Sequence, residues 1–420
     1  MKSQSSPGPA DKSEDRKNKN LEKLESLLQK TAEKEDEEDL DFSPRVTAKI
    51  SRSALVGNFD AIQAQVPSQF LLPMIKANAY GHGAIWAAEK LAGRAGLFGF
   101  GLATLEEGAE IRQALGPKNR QVRLLIFSGT VGWTKQKGNF CEKYGLTPVI
   151  SADEDWQLFL NGGWTARLSY HLKFNTGMNR LGMSPELAGL VAQKLRQKET
   201  TEHPEGILSH LAMGESPDAK LSQVQLAAFR NLKRELSPAF PAALFHLANS
   251  SAIWQQKSWG LEGLTEIVRP GISLYGVSPW VGAPARGLSA VMSLSARVVS
   301  IRKLKSGDQV GYGGTFTVPT GFTKRDPYFS AVLACGYADG VSRRLSNQGE
   351  VFLNGKRQRF IGIVSMDLSA ISCDAQTRVG DWAEILGVNL DPWVQAKAAS
   401  TLPYELLTSV SGRVQREYVD

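Results

Sequence analysis

Eight short apolar runs recur between residues 70 and 269, most of them followed by a stretch of helical spacing, and no other feature narrows the possible folds as far. The runs are Phe70 to Lys76, Phe98 to Ala103, Val122 to Phe127, Leu146 to Ser151, Leu168 to Phe174, Gly206 to Leu211, Ala243 to Ala248 and Thr265 to Arg269. Between them lie amphipathic segments such as Leu105 to Leu115, Pro185 to Lys198 and Gln223 to Leu236. Strands buried on both faces read as near-continuous apolar runs, and eight βα units in series predict a closed parallel (β/α)8 barrel rather than an open doubly wound sheet. After about Leu288 the texture changes. The segments Ser293 to Leu304, Tyr328 to Cys335, Glu350 to Leu353, Gln358 to Ser365, Ser369 to Cys373 and Trp382 to Leu386 alternate between Gly, Asn and Asp turns, which predicts a mainly β domain. The Pro- and Gly-rich stretch Ser278 to Gly287 predicts a linker. The expected division is a charged tail over 1–44, a barrel over 45–285 and a mainly β domain over 286–420.

The first 41 residues fit neither pattern. They carry eight basic and twelve acidic side chains, a Ser/Pro/Gly stretch and the acidic block Glu33 to Asp39, with too little apolar content for a core, so the tail is expected to be disordered. Leu21, Leu24 and Leu28 recur at helical spacing with Leu27 adjacent; a frayed, solvated segment is the simpler expectation, a short docking helix the alternative. Without the tail, the net charge of +7 becomes about +11 for the body. A basic body can signal nucleic-acid binding, yet there is no basic cluster interleaved with aromatics and no zinc-finger or RNA-recognition pattern. A pocket for anionic small molecules explains the charge as well. The longest apolar runs fall far short of the roughly 20 residues a membrane helix needs, and nothing near Met1 resembles a signal peptide, so a cytoplasmic protein is expected. Cys141, Cys335 and Cys373 are too few and scattered for a disulfide framework or a metal site and are expected to be buried packing residues.

Barrel enzymes carry their chemistry at the C-terminal ends of the strands. The first run ends in Lys76, within Met74-Ile75-Lys76-Ala77-Asn78-Ala79-Tyr80-Gly81-His82-Gly83. A lysine closing an apolar strand is partly desolvated, which lowers its pKa and frees the amine as nucleophile or base; the same lysine could equally mark where a strand exits to solvent. The fifth run leads into Lys173-Phe174-Asn175-Thr176-Gly177-Met178-Asn179-Arg180, the sixth reaches Ser209-His210, the seventh runs into Asn249-Ser250-Ser251 and the eighth gives Arg269-Pro270-Gly271-Ile272. A lysine, a histidine, two arginines, small hydroxyls and a glycine with a free backbone N–H on one barrel face suit an anionic, aromatic cofactor held through a phosphate and an aldehyde.

The segments around Lys76, Arg180, His210, Asn249 and Arg269, with Tyr312 in Gly311-Tyr312-Gly313-Gly314-Thr315 and Met366 in Ser365-Met366-Asp367, resemble the bacterial alanine racemases, a pyridoxal phosphate (PLP) family. The resemblance is colinear from about Val46 to Tyr418 and does not include the tail. It implies that Lys76 holds the cofactor as an imine and serves as base for D-alanine, while Tyr312, supplied by the partner subunit, is the base for L-alanine. A homodimer with shared active sites follows. It implies that His210 and Arg269 assist Tyr312, and that Arg269 faces the pyridine nitrogen, where a side chain with donors only leaves the ring unprotonated and a weaker electron sink. Tyr80, Ser250, the backbone of Gly271 and Ile272, and Tyr404 would take the phosphate, with Asn249 beside them. Arg180 and the Met366 backbone would meet the substrate carboxylate, Lys173 would be carboxylated, and Tyr337 and Asp339 would line the approach. Asn175 stands where the family commonly has aspartate, and Ser365 where it commonly has cysteine. The implied function is interconversion of L- and D-alanine for peptidoglycan. A racemase of broader range, or another barrel-type PLP enzyme such as a decarboxylase, is the alternative, and a PLP-binding barrel without catalysis is a third reading that the β domain speaks against.

Overall fold

The computed structural model describes residues 44–196, 203–282 and 287–420. The expected disordered tail with its leucine repeat, the middle of the expected linker and the end of the expected helix Pro185 to Lys198 lie outside the described residues. In chain order the first nine strands are β1 (Val46–Ser51), β2 (Phe70–Leu71), β3 (Gly99–Leu102), β4 (Arg123–Ile126), β5 (Thr147–Ile150), β6 (His171–Lys173), β7 (Gly206–Leu208), β8 (Leu244–Asn249) and β9 (Ile267–Arg269). Strands β2 to β9 each fall inside, or within a residue of, one of the eight apolar runs. They pair in parallel in the order β2-β9-β8-β7-β6-β5-β4-β3. The ring closes between β2 and β3 through the parallel bridges Leu71↔Leu97 and Met74↔Gly101, where the Ile75 N–H donates to the Gly101 carbonyl at 3.0 Å.

Side chains alternate across this wall, as the pleat requires. Leu124, Ile126, Ile150, Leu172, Ile207 and Val268 join the large core shared with the helices, whereas Leu72, Phe98, Leu125, Val149, Leu208 and Ile267 form a separate small cluster inside the barrel. His171 and His246, fully buried, lie among this inner set, with the His171 ring edge-on to Phe98 at 5.9 Å. A barrel interior is usually filled by branched aliphatics, so two histidines there call for hydrogen-bond partners.

The second domain contains β10 (Met292–Leu304), β11 (Gln309–Val310), β12 (Phe316–Thr317), β13 (Tyr328–Leu333), β14 (Glu350–Leu353), β15 (Lys356–Arg359), β16 (Ser369–Cys373), β17 (Trp382–Leu386) and β18 (Gln415–Val419). Its main sheet runs β15-β14-β17-β10-β1-β18, with β13 joining β10 to β16. Two sequence expectations change here. The barrel range 45–285 included Val46–Ser51, but β1 pairs antiparallel with β10 (Val46↔Ala296) and parallel with β18 (Thr47↔Gln415), so the described chain starts and ends in the second sheet. The expected strand Gln358 to Ser365 is instead the end of a β14–β15 hairpin, after which Gly362 at φ 76° turns the chain out of the ladder. Cys141 and Cys335 are buried and Cys373 is half-buried.

The two domains meet over the Lys76 segment. Tyr418 stacks on Trp86 at 4.9 Å, Arg416 Nε donates to the Gly81 carbonyl at 2.8 Å, and the helix Pro403–Ser409 packs against the same turn. Gly81 has φ 84°, and a Cβ there would stand 2.3 Å from the Leu407 carbonyl oxygen. Backbone cannot yield as a side-chain tip can, so Gly81→Ala is expected to destabilise the fold by about 1–3 kcal/mol, from overpacking and a disfavoured left-handed residue. A urea-denaturation midpoint unchanged from wild type would contradict this account of the domain contact.

Candidate active site

Five residues beyond β2, Lys76 opens a turn unlike an ordinary helix. Ala77, Asn78, Ala79 and Tyr80 all hold φ between 51° and 53°. Consecutive left-handed residues cost roughly 1–2 kcal/mol each for side chains with a Cβ, so the surroundings must impose them. Glu107 is one cause. Its carboxylate closes a capping box with Thr104 on the helix Leu105–Leu115, and it also accepts the Ala77 N–H at 2.7 Å and the Ala103 N–H at 2.7 Å. The Asn78 side chain accepts the Ala84 N–H at 2.8 Å. His82, fully buried, has Nδ1 at 2.9 Å from the Ala79 carbonyl and 3.0 Å from the Tyr80 carbonyl; carbonyls only accept, so Nδ1 carries the hydrogen, and burial pushes the imidazole down to about 4. Strain of this kind, held from several sides, is characteristic of functional segments.

Lys76 opens onto a cavity of about 730 Å³ at the C-terminal mouth of the barrel. Lys76, Tyr80, Lys173, Arg180, His210, Asn249, Ser250, Arg269, Gly271 and Tyr404 line it together. Four of these are cations, and Glu405, bonded to Thr401 Oγ1, is the one carboxylate among the lining residues. The electrostatic consequence is uniform in sign. Burial, then Arg180, lowers the Lys76 ammonium although Glu107 opposes it; burial, then Arg269, Arg180 and Lys76, pushes Lys173 down to about 8. His210 is held well below its ordinary value by burial and the surrounding cations, Arg269 first.

Arg269 is 3% exposed and has no carboxylate partner among the described residues. Nη2 donates to the Ser209 carbonyl at 2.7 Å, the Leu247 carbonyl at 3.0 Å and His210 Nδ1 at 3.2 Å, and Nη1 donates to His246 Nδ1 at 3.0 Å. Burial pushes the guanidinium down to about 9, so it stays charged at neutral pH. Elsewhere in the lining Ser250 Oγ accepts the Gly271 N–H at 2.9 Å, Asn249 caps the short helix Ser250–Trp254, and Tyr80 stacks on Tyr275 (4.9 Å) and meets Tyr404 at a tilt (5.8 Å). A Cβ on Gly271 would stand 2.8 Å from the Tyr80 hydroxyl, so this part of the lining is a cradle of hydroxyls and backbone. Ile272 is buried behind it and does not line the cavity. Asn175 Oδ1 accepts the Gly177 and Asn179 N–H groups at 3.1 and 3.0 Å, a turn role that asparagine and aspartate fill alike.

The remaining expected residues do not reach the cavity within one chain. Tyr312 sits at the tip of the β11–β12 hairpin, 74% exposed, and Met366 is 51% exposed. Tyr337 is exposed as well, its N–H on the Ser365 carbonyl, and the Ala338 N–H bonds the Met366 carbonyl. Asp339 corrects the expectation that it lines an approach: it is buried, bound by Arg45 at 3.0 Å, Arg413 at 2.8 Å and the Gly336 N–H at 2.9 Å, and it braces the surface loops from behind. Glu107, His171 and His246 were missed by sequence reasoning. The alternation of His171 with Lys173 on one strand was the available signal.

The family model of the alanine racemase N-terminal domain matches residues 50–279 and that of the alanine racemase C-terminal domain matches residues 291–418. An alanine racemase of Shewanella sp. (strain MR-7) is 34% identical over 378 residues, 89% of this chain and 99% of its own, and that of Shewanella oneidensis is 32% identical over the same shares. Among solved structures, the biosynthetic alanine racemase from Pseudomonas aeruginosa has a TM-score of 0.78 at 32% identity, covering 90% of this chain and 100% of its own. The alanine racemase from Bartonella henselae with covalently bound pyridoxal phosphate has a TM-score of 0.76 at 30% identity, covering 89% and 99%. With both domains matched in order, and the cavity where the barrel should carry its chemistry, the chain belongs to the alanine racemase family.

Proposed function

We propose that this chain is a PLP-dependent alanine racemase acting as a homodimer with shared active sites, in the cytoplasm, where it supplies D-alanine for peptidoglycan. One observation carries the reading: a single cavity joins a desolvated lysine to a buried arginine that has no carboxylate partner among the described residues. The donor set fits the cofactor. A cavity of about 730 Å³ lies in the usual range for small-molecule sites, its four cations require an anionic occupant, and the hydroxyls of Tyr80, Ser250 and Tyr404 with the Gly271 backbone can take a phosphate. When bound, PLP supplies an electron sink that lets the α-proton of an amino acid leave.

The chain's own residues then have separable tasks. Lys76, its amine kept available by burial and Arg180, anchors the cofactor and handles the α-proton on one face. Arg269, which has donors only, would favour an unprotonated ring nitrogen in a bound cofactor. His210 accepts from Arg269 at Nδ1, so its neutral ring carries hydrogen on Nε2. His210 lines the cavity, so that N–H would be a donor able to stabilise a phenolate oxygen there. A free phenol titrates near 10, so such a donor is what Tyr312 of a partner subunit needs in order to act as base on the other face. Arg180 and the Met366 backbone orient the substrate carboxylate, and Tyr337 borders the approach. Broader substrate range remains the second reading.

Lys76→Ala is expected to abolish the visible band of the lysine-bound cofactor and all racemisation, whereas Tyr312→Phe should keep the band and lose at least about 100-fold in kcat, the usual scale for a missing acid–base group. Mixed in equal amounts and allowed to exchange subunits, the two inactive variants should regain roughly a quarter of wild-type activity, one intact site per mixed dimer. No recovery would place Tyr312 outside a shared site. For Lys173 the neutral amine is the form that attacks carbon dioxide, giving a carbamate and a proton. With its ammonium pushed down to about 8, a ¹³C carbamate resonance should appear with labelled bicarbonate and grow from about pH 7 to 9 as the amine deprotonates; its absence in wild type would rule the modification out.

A further inference from the structure

The hydrogen bonds of Arg269 do not stop at His246. His246 Nε2 lies 2.9 Å from His171 Nδ1; beyond it His171 Nε2 and Glu205 Oε2, each without a closer partner among the described residues, face one another at 3.5 Å, an electrostatic contact longer than an ordinary hydrogen bond, and the other Glu205 oxygen is paired with Arg123. Arg269 ends β9, His246 is in β8, His171 opens β6 and Glu205 directly precedes β7, so the chain of groups runs through the interior from one end of the barrel to the other. Both imidazoles are fully buried, and the Glu205 carboxylate is 17% exposed at the far end.

The direction of every link is fixed by chemistry. Arginine has no acceptor, so His246 Nδ1 must offer its lone pair to Nη1. A neutral His246 then carries its hydrogen on Nε2 and donates it to His171 Nδ1. His171 in turn must carry hydrogen on Nε2, which faces a carboxylate, an acceptor only. A cationic His246 would set an N–H against an arginine N–H. Burial, with Arg269 and His171 beside it, lowers His246 well below its ordinary value, and burial lowers His171 although Glu205 opposes it, so both rings are neutral. Burial raises the Glu205 carboxyl, but bonding and charge from His171 and Arg123 leave it below its ordinary value and ionised.

We propose that Glu205 is a positioning residue that acts through His171 and His246 on Arg269, imposing one donor direction along the barrel axis and holding the guanidinium in the orientation it presents at the cavity. The catalytic consequence rests on the reading of Arg269 as the partner of the cofactor's ring nitrogen; the direction of the chain does not. Without the terminal acceptor, His246 can take its other tautomer, and its Nδ1–H then pushes Arg269 from its place.

The test uses holoenzyme labelled with ¹⁵N-histidine, in which five histidines give resolvable tautomer signatures. His246 and His171 are expected as neutral Nε2–H rings, in contrast to the Nδ1–H ring of His82. In Glu205→Leu, His246 should show mixed tautomers and kcat should fall on the order of tenfold, the scale of one hydrogen bond to a charged group, with KM changed by less than about twofold. His171→Gln, made with Glu205 intact, keeps an acceptor toward His246 and a donor toward Glu205, so it should retain the single tautomer of His246 and most of kcat, which a merely structural role for the pair would not require. A Nδ1–H His246 in wild type, or a Glu205→Leu protein with wild-type tautomers, overturns the proposal. Wild type that shows the expected tautomers but leaves alanine unchanged contradicts the racemase reading while the relay stands.

Discussion

Four cationic side chains share one cavity, and much of the local structure exists to make that arrangement tolerable. Lys76, Lys173, Arg180 and Arg269 line a space with a single carboxylate at its edge. At an effective dielectric near 20, neighbouring like charges repel by on the order of a few kcal/mol per pair. The lowered pKa values of both lysines follow from burial and from this repulsion. An anionic occupant relieves it, and so does conversion of Lys173 to a carbamate. On the proposed reading, the chemistry of the site and its affinity for a phosphate-bearing cofactor therefore share one electrostatic origin.

Holding those charges in place falls to groups away from the cavity. Glu107 braces the strained left-handed turn after Lys76 while capping its own helix. Arg416 and the helix Pro403–Ser409 press the same turn from the second domain. Asp339 ties Arg45 and Arg413 behind the exposed loops that carry Tyr337 and Met366. In each case a charged group satisfies several backbone or side-chain partners at once, which rigidifies a segment that propensity alone would leave flexible.

The barrel was legible because its strands are apolar on both faces, so each of the eight runs stands out without knowledge of its neighbours. The edges of the second sheet were not. Val46–Ser51 and Gln415–Val419 pair with each other across nearly the whole chain, and the polar β18 has no strand signal of its own. The cavity residues were legible because Lys76, Lys173, His210 and Arg269 each lie at or near the end of an apolar run, where barrel chemistry sits. His171 and His246 were not, because a histidine inside a strand reads as packing until the partners of both ring nitrogens are known. Tyr312 was found only through resemblance. Its exposed hairpin tip gives no local sign of function, as expected if its counterpart belongs to another subunit.

The most direct test of the central claim is the circular dichroism of L-alanine followed over time with PLP-loaded protein, with the amino acid quantified at the end. The account predicts that the optical signal decays to zero while the alanine stays chemically intact. A signal that holds, on protein that carries the cofactor's visible band, would show that the cationic cavity binds PLP but does not racemise alanine.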